Sequence, residues 1–348
     1  MHNKAINLLK NLISTPSFSR EEDKTAEIIF NYLVSKGITP QRHKNNIWVE
    51  HPKNKPNKPV VLLNSHHDTV KPSVGWQYDP FTPTEMDGKL IGLGSNDAGA
   101  SVVSQMIAFI SLWEKELPYN LIYSATAEEE NSGEDGLESI LDKFGKLDLA
   151  IVGEPTKMEM AVGERGLVVL DCKVHGKAGH AARNEGENAI YKAIRVIDWF
   201  RNYDFPKISE FLGKVKMTVT QINAGYQHNM VPDICNLVVD VRTNGLYTNA
   251  EVLEVIKANA GCELSARSLR LNSSSIGLDH PVVLAAKKLG INLFGSPTTS
   301  DQAIIPYPSV KIGPGDSARS HTANEYIYPE EIKNGIEIYI KLLENLEF

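Results

Sequence analysis

The sequence predicts an α/β protein in which a smaller domain is inserted into a larger one. Apolar, strand-like runs alternate with helix-like runs over residues 60–154, a pattern typical of a mostly parallel sheet covered by helices on both faces. The pattern changes after residue 164. The chain has 348 residues, and single hydrophobic cores usually stop growing near about 250 to 300 residues. We therefore predict a larger domain from 1–164 and 276–348, with a mixed, mostly parallel sheet, and an inserted domain from 165–275.

The elements of the larger domain follow from apolar periodicity. A first helix is predicted near the N-terminus, where Ile6, Leu9 and Ile13 fall on one side. Further strands are expected at 60–65, 120–128, 147–154 and 309–312, and further helices at 97–116, 134–144, 281–290 and 329–346. In sheets of this kind, polar residues just beyond the C-terminal strand ends line the binding crevice.

The inserted domain has a different order of elements. Strands are predicted at 166–175, 215–222, 235–242 and 263–271, and helices at 186–202 and 249–259. The resulting order, β-α-β-β-α-β, is the split arrangement of a ferredoxin-like domain.

Composition and charge argue against several classes of partner. With 36 Lys and Arg residues against 43 Asp and Glu residues, the chain offers no broad cationic field for nucleic acid or anionic lipid. The N-terminal run is interrupted by polar residues, unlike a signal peptide, and no segment approaches about 18 consecutive apolar residues. We expect a cytoplasmic protein that binds neither nucleic acid nor membranes. The three cysteines lack CxxC spacing, which favours buried, reduced thiols.

The stretch NSHHDTV, residues 64–70, follows an apolar strand and carries the first candidate ligands. Side chains alternate across an extended backbone, so His66 and Asp68 point to one side and His67 to the other. This favours His66 with Asp68 as a working pair. This stretch alone leaves an alternative open, in which the histidine binds no metal and its ring forms a local hydrogen bond.

Four further connections carry carboxylates or a histidine, and each has an ordinary explanation of its own. The candidates are Asp97 as a helix N-cap, Glu128, Glu129 and Glu130 as a solvated helix surface, Glu154 as part of a turn, and His321 as a polar loop residue. These ordinary explanations weaken when taken together, because a single strand-end crevice would receive two histidines and several carboxylates.

Imidazole and carboxylate oxygen form a ligand set suited to zinc, with manganese or cobalt as substitutes. Two such ions can share one carboxylate and a bridging water, whose pKa falls toward about 7. A glutamate outside the coordination shell can then take the proton of that water. The five connections therefore predict metal-dependent hydrolysis.

The motifs resemble those of a known family. SHHDTV, GLGSNDAGA, TAEEENSG, VGEPT and GPGDSARSHTANEYI occur in the order and at about the spacing seen in the acetylornithine deacetylase / succinyl-diaminopimelate desuccinylase family of dinuclear zinc amidohydrolases. The resemblance covers nearly the whole chain. It implies that the larger domain is catalytic and binds two zinc ions per subunit, with cobalt or manganese as substitutes, and that the inserted domain is a lid and dimerisation domain.

The resemblance also implies a ligand set for the two ions. Asp97 would be the carboxylate that bridges them. One ion would add His66 and Glu154, and the other would add Glu130 and His321.

Two further residues gain a role from the resemblance. Asp68 would orient the His66 ring and make it a better donor. Glu129 would be the general base that deprotonates the water and passes the proton to the leaving amine. Glu128 stands where the family usually has Asp. The role of general base therefore falls to Glu129 and that of metal ligand to Glu130.

In the inserted domain, the stretch KVHGKAGHA resembles a family strand that ends in a functional histidine. His180 would stabilise the oxyanion, and because this histidine often reaches the partner subunit in the family, a homodimer is implied. Asn229 and Arg242 resemble residues that contact the substrate, for which Arg offers a bidentate partner to a carboxylate. Gly315, in the larger domain, would also contact substrate.

Several positions depart from the family pattern. Ser65 stands where Gly is common, Leu93 replaces an Arg, and residues 98–100 replace Met-Lys-Gly. These changes leave the implied ligands intact. Because they border the pocket, they bear on substrate preference.

We expect a deacylase that removes a short acyl group from an N-acyl amino acid, with N-acetylornithine in arginine biosynthesis as the first candidate. Desuccinylation of succinyl-ornithine or succinyl-diaminopimelate, deacylation of acetylcitrulline, and dipeptide hydrolysis are the alternatives within the family. A nucleotide site at 92–99 is disfavoured because the loop lacks G-x-G-x-x-G spacing. Serine hydrolase chemistry is disfavoured because no G-x-S-x-G occurs. The intact set of implied metal ligands, together with Glu129, argues against a non-catalytic binding module.

Overall fold

The computed structural model of the protein describes residues 2–348. Within these residues the chain divides into two compact units. The first unit comprises residues 2–162, 275–294 and 300–348, and the second comprises residues 163–274 and 295–299. The first unit therefore combines segments from both ends of the described chain, and the second unit is formed mainly by one continuous segment.

Seven α-helices are present among the described residues. They are α1 (His2–Ile13), α2 (Asp23–Val34), α3 (Ala100–Ser111), α4 (Ala189–Asn202), α5 (Asn249–Asn259), α6 (Pro281–Lys288) and α7 (Pro329–Glu344). A short π-helical turn covers Ser95–Gly99, and 3₁₀ turns cover Leu137–Phe144, Asp301–Ile304 and Ser317–Arg319. In the part of the chain that the structure describes, no helix combines the length and apolar character needed to span a bilayer.

The strands follow in chain order. They are β1 (Gln41–His43), β2 (Asn46–Glu50), β3 (Val60–His66), β4 (Thr84–Met86), β5 (Lys89–Ile91), β6 (Asn120–Thr126), β7 (Leu149–Val152), β8 (Met160–Glu164), β9 (Gly166–His175), β10 (Gly179–His180), β11 (Lys216–Ala224), β12 (Met230–Val231), β13 (Ile234–Thr243), β14 (Glu263–Ala266), β15 (Ser274–Ser275), β16 (Leu293–Ser296), β17 (Ser309–Lys311) and β18 (Tyr326–Ile327).

The largest sheet has the strand order β1-β2-β6-β3-β7-β17-β8-β15, and β16 pairs with β8. At its centre, β6, β3, β7 and β17 run parallel, whereas β1, β2 and β8 are joined by antiparallel pairing. The predicted α/β class with a mixed, largely parallel sheet is confirmed. Because the parallel strands end at one edge of the sheet, the segments that follow them meet there.

Helices cover the strands of the first unit through apolar side chains. α3 is buried along most of its length and packs against β3 and α7. Its polar residues Ser101, Ser104 and Gln105 are buried together with its apolar ones. α7 instead buries one stripe, which includes Ile332, Ile336, Tyr339 and Leu343. This spacing of three to four residues keeps the stripe on one helix face.

The second unit contains a four-stranded antiparallel sheet with the order β11-β13-β9-β14. Its elements follow the chain as β9, α4, β11, β13, α5 and β14. Along β9, buried Leu170, Cys172 and Val174 alternate with exposed Asp171 and Lys173. One face of the sheet therefore joins a core with apolar residues of α4 and α5, and the other face is polar.

Several predicted boundaries differ from the observed ones, and the segment predicted as a helix at 134–144 is a 3₁₀ turn over Leu137–Phe144. Two further differences concern the Asp97 loop and the second unit. The helix expected from residue 97 begins at Ala100, and Asp97 itself has non-helical backbone angles (φ -119°, ψ 99°). The strand expected over 263–271 ends at Ala266. Beyond that point the contact with β9 is irregular, with the N–H of Leu167 donating to the carbonyl of Leu271 (2.9 Å). The side-chain amide of Asn249 also donates to the carbonyls of Leu269 and Leu271.

Candidate metal centre

The strand ends of the first unit bring the candidate ligands to one edge of the sheet. His66 is the last residue of β3. Glu129 and Glu130 follow β6, Glu154 follows β7, and His321 comes after β17. Four connections that are far apart in sequence therefore contribute side chains to one cluster.

His66 lies at the centre of this cluster and is almost fully buried. Its Nε2 atom is 3.4 Å from Asp97 Oδ1, 3.7 Å from Glu154 Oε1 and 3.9 Å from Glu129 Oε2. Three carboxylates thus face one imidazole nitrogen.

His321 forms a second centre on the other side of Asp97. Its Nε2 atom is 3.0 Å from Glu130 Oε2 and 3.8 Å from Asp97 Oδ2. The two oxygens of Asp97 therefore face different histidines. Asp97 lies where a carboxylate shared by two ions would lie.

Ligand atoms of two groups converge closely enough to hold cations. One group is His66, Asp97 and Glu130, and the other is His66, Glu129 and Glu154, with the ligand atoms of each group within 4.8 Å of one another. Carboxylate and imidazole groups are suited to zinc, manganese and cobalt.

Asp68 lies beneath the cluster and organises it. Its Oδ2 atom accepts hydrogen bonds from Ser19 Oγ (2.7 Å) and the backbone N–H of Glu130 (3.1 Å). Its Oδ1 atom accepts from the backbone N–H of Glu129 (3.1 Å) and lies 3.3 Å from His66 Nδ1. Burial alone would raise the pKa of Asp68, but the contacts with His66 and Ser19 hold it below its ordinary value. One charged carboxylate thus fixes three residues of the cluster.

His67 is turned away from the cluster. Its Nδ1 atom is 3.0 Å from Thr25 Oγ1, and its Nε2 atom is 2.9 Å from the carbonyl oxygen of Asn45. Burial lowers the pKa of His67 to about 4. Both ring nitrogens therefore have protein partners, and the ring is neutral at pH 7.

The pKa shifts of the cluster indicate that its carboxylates have too little positive charge near them. Burial raises the pKa of Glu129 well above its ordinary value, and Glu154 adds to this against the opposing effect of His66. Burial likewise raises the pKa of Glu154 to about 8, with Asp97 contributing in the same direction. Burial would lower the pKa of His66, but the surrounding carboxylates, Glu129 foremost, raise it well above its ordinary value. Like charges are held together here at a free-energy cost that a cation would remove.

Two buried atoms at the centre of the cluster have no hydrogen-bond partner among the described residues. They are His66 Nε2 and Glu154 Oε1. An orphaned buried polar atom is destabilising unless something else satisfies it. Both atoms are of types that bind zinc, so the residues present fit a metal ion at this position.

Sequence reasoning did not identify two polar residues that support the cluster. One is Ser19, which donates to Asp68. The other is Asp301, whose buried Oδ2 atom accepts from Asn64 Nδ2 (2.8 Å) and Thr126 Oγ1 (3.2 Å). Burial raises the pKa of Asp301 to about 6. The run TTSD at 298–301 has no pattern that indicates such a contact, because its partners lie in β3 and β6.

The remaining predicted site residues have contacts of their own. In the second unit, His180 pairs with Met230 across β10 and β12, and its Nδ1 atom accepts from the backbone N–H of Ala182. Asn229 accepts from the N–H of Ala181 through its carbonyl oxygen (3.0 Å). The structure thus brings His180 and Asn229 close through the antiparallel pairing of β10 and β12.

Arg242 lies on β13 and has a separate set of partners within the second unit. It binds Asp240 through Nε (2.8 Å) and Nη2 (2.9 Å), and its Nη1 atom donates to Thr299 Oγ1 (3.2 Å). Gly315, in the first unit, has a positive φ of 93°. A side chain there would meet Asn96 Oδ1 at 2.4 Å, so only glycine fits beside the loop that carries Asp97.

Comparison with known proteins gives a consistent result. Residues 62–345 match peptidase family M20/M25/M40. The chain is 27% identical over 372 residues to a succinyl-diaminopimelate desuccinylase of Wolbachia pipientis wMel, covering 98% of this chain and 92% of the relative. It is 27% identical over 379 residues to an acetylornithine deacetylase of Proteus mirabilis (strain HI4320), covering 98% and 96%. The crystal structure of aminopeptidase PepT from Bacillus cereus ATCC 10987 has the same fold, with a TM-score of 0.81 at 20% identity over 99% of both chains.

The family match covers well over half of the chain and includes the strand ends that carry the cluster. The family resemblance predicted from the motifs is confirmed. The prediction of a metal-dependent hydrolase is confirmed as well. The chain belongs to peptidase family M20/M25/M40, whose members are metal-dependent peptidases and amidohydrolases.

Proposed function

We propose that the protein is a two-metal amidohydrolase that removes a short acyl group from an N-acyl amino acid. The observation that carries the proposal is the position of Asp97 between His66 and His321, with its two oxygens facing different histidines. The first candidate substrate is N-acetylornithine, which would place the reaction in arginine biosynthesis.

Each ion would have a distinct ligand set. Glu154 joins His66 on one side of Asp97, and Glu130 joins His321 on the other. Zinc is the first candidate, with cobalt and manganese as substitutes, because the donors are imidazole and carboxylate without thiolate. Two zinc ions per chain are therefore proposed.

The residues of the chain divide the chemistry between them. Bound metal ions would polarise the acyl carbonyl and lower the pKa of a water molecule. Glu129 reaches into the cluster through Oε2 without being needed as a ligand in the proposed sets. It would accept the water proton at that oxygen and later donate it to the leaving amine. Asp68, bound to the backbone N–H of Glu129, would keep the carboxylate of Glu129 aligned for both transfers.

The second unit is proposed as the ferredoxin-like lid. Its element order, β-α-β-β-α-β, supports this assignment. His180 is proposed to stabilise the oxyanion, with Asn229, Arg242 and Gly315 as substrate contacts. The guanidinium of Arg242 is held in place by Asp240, and such preorganisation favours its use as a carboxylate-binding group.

Desuccinylation is a second candidate with its own support. Several relatives of this chain are named succinyl-diaminopimelate desuccinylase, at 25–27% identity. The two activities share the chemistry of the metal centre and differ in the acyl group. Succinyl-ornithine, acetylcitrulline and dipeptides are further substrates that the same centre could hydrolyse.

A homodimer through the second unit is also proposed. α4 exposes Tyr191 (71% relative exposure of the residue) and Ile194 (52%), and the edge strand β11 exposes Ile222 (56%). Exposed apolar residues beside a free strand edge are features that a symmetric partner would cover. Sedimentation should show a dimer that Ile194→Glu dissociates. Leu284→Glu, at an exposed apolar position on α6 of the first unit, should leave the dimer intact, and a monomeric wild type would contradict the proposal.

The cytoplasmic location remains a prediction.

A substrate panel tests the proposed function. The metal-depleted protein is reloaded with zinc or cobalt and assayed on N-acetylornithine, succinyl-ornithine, succinyl-diaminopimelate, acetylcitrulline and a dipeptide. Preferred hydrolysis of acetylornithine is the expected result, and preference for a succinyl substrate would favour the second candidate. No hydrolysis of any of the five would contradict the deacylase proposal.

A further inference from the structure

Glu325 is a buried acid whose carboxylate is bound by the loop that carries Asp97. The relative exposure of the residue is only 2%. Its Oε1 atom accepts from the backbone N–H groups of Asn96 (2.8 Å) and Asp97 (2.9 Å), and its Oε2 atom accepts from the N–H of Gly94 (3.1 Å). Three N–H groups thus converge on one carboxylate, an arrangement of charge-assisted hydrogen bonds.

The loop requires an external partner because of its backbone shape. Gly94 has a left-handed φ of 73°, and Asp97 has extended angles immediately before α3. The N–H groups of the loop ahead of α3 lie outside the hydrogen-bond ladder of that helix. Glu325 satisfies three of them and thereby fixes the direction in which the Asp97 side chain leaves the backbone.

Glu325 is itself held in place by a sheet. The next residue, Tyr326, begins β18, which pairs with β5. The carbonyl oxygen of Glu325 accepts from the N–H of Gly92 (3.0 Å). The backbone is therefore anchored at the carbonyl of Glu325 and at the strand that follows it.

A second contact links the Asp97 loop to the segment that carries His321. Asn96 donates through Nδ2 to the carbonyl of Asp316 (3.1 Å), and its Oδ1 atom accepts from the N–H of Asp316 (2.9 Å). Asp97 and His321 thus lie on two segments that are locked to each other. A shift of either segment would break several hydrogen bonds at once.

We propose that Glu325 is a positioning residue that fixes Asp97 between the two metal positions. This inference rests on the proposed two-metal centre. A carboxylate has two acceptor oxygens and no donor, so it can accept from all three N–H groups, whereas a neutral amide offers one acceptor oxygen.

Cobalt titration of the metal-free protein tests the inference. Calorimetry and visible absorption give the number of bound ions, their affinities and the ligand geometry. Glu325→Gln keeps one acceptor oxygen but turns an amide N–H toward the N–H of Gly94. We expect about 10- to 100-fold weaker binding of at least one ion and an altered cobalt spectrum.

A matched control is available in Asp148→Asn. Asp148 accepts from the N–H of Val60 (2.9 Å), at the end of β3 opposite to His66. This variant removes a carboxylate that binds backbone N–H without touching the Asp97 loop, and it should bind cobalt like the wild type.

The outcomes separate the two proposals. If the wild type binds no cobalt, the proposed metal centre is wrong. If the wild type binds two ions and Glu325→Gln matches it in affinity and spectrum, the inference about Glu325 is wrong.

Hydrogen exchange of the wild type provides a test that does not depend on a variant. In the metal-free protein the N–H groups of Gly94, Asn96 and Asp97 should already be protected, because Glu325 binds them before any ion arrives. Unprotected exchange at these three positions would overturn the inference even if the variants do not fold.

Discussion

The two units arrange their carboxylates in opposite ways. On the polar sheet face of the second unit, Asp171 binds Arg267 through two hydrogen bonds of 2.8 and 2.9 Å. Glu263 lies 2.7 Å from His175 on the same face. These hydrogen bonds lower the pKa of Asp171 and of Glu263. Each acid there has a basic partner supplied by the chain.

In the first unit, acids cluster with one another. Asp97, Glu129 and Glu154 converge on the single buried imidazole of His66, and burial raises the pKa of Glu129 and of Glu154. The comparison teaches that an acid cluster at a buried strand end calls for a cation from outside the chain. Surface acids that pair with a basic residue need no added cation, and such exposed ion pairs contribute little to the free energy of unfolding.

The largest effect is expected from Glu129→Gln. The change removes the proposed proton acceptor but leaves Asp97 and both proposed ligand pairs in place. Turnover should fall by about 10²- to 10⁴-fold, while the metal content stays at the wild-type value. Steady-state kinetics and elemental analysis of the same preparation provide both measurements.

Glu128→Gln is the matched control for that variant. Glu128 is the neighbouring acid, and its Oε2 atom faces Arg20 Nε at 3.6 Å. It belongs to neither group of converging candidate ligands. It should retain turnover within a few-fold of wild type. Equal losses in the two variants would break the assignment of Glu129 as general base.

Metal addition should stabilise the protein through the first unit. An ion that binds the folded state alone adds about 2.7 kcal/mol per site at a free concentration of 100 Kd. Urea unfolding of the metal-free protein with and without cobalt measures this difference. His66→Ala should lose most of the stabilisation, and an unchanged unfolding free energy of the wild type would argue against cation binding by the cluster.

A smaller loss is expected from Asp68→Asn. The amide can accept from Ser19 or from the backbone, but it cannot supply a charge beside His66 Nδ1. Metal affinity or turnover should fall by about 10- to 100-fold. Competition with a chelator gives the affinity, and values equal to wild type would show that Asp68 is not needed to orient His66.

The smallest effect is expected in the second unit. Asp171→Asn removes one member of an exposed pair with Arg267, and both side chains are about half exposed. Metal content and turnover should equal the wild-type values. A loss of bound metal in this variant would contradict the view that only the clustered acids of the first unit are needed for metal binding.

Local sequence patterns predicted much of the cluster. The alternation along β3 separated His66 from His67, because side chains in an extended strand point to opposite faces. The position of Glu129 and Glu130 followed from the end of an apolar strand. These features depend on neighbours within a few residues and are therefore visible in a pattern.

Other features depend on contacts between distant segments. The orientation of Asp97 involves Glu325, which is 228 residues away, and Asn64 contacts Asp301 over 237 residues. The local pattern at Asp97 is compatible with a helix N-cap, but the structure places Asp97 in an extended conformation before the helix. No local pattern encodes such partners, because tertiary packing selects them.

Metal content of three proteins tests the central claim most directly. Wild type, His66→Ala and His67→Ala are depleted of metal, dialysed against zinc and analysed for zinc per chain. We predict two ions in the wild type, two in His67→Ala, whose ring binds Thr25 and Asn45, and fewer in His66→Ala. A wild type without bound zinc, or a His67→Ala variant that loses zinc while His66→Ala retains both ions, would contradict a two-metal centre built around His66.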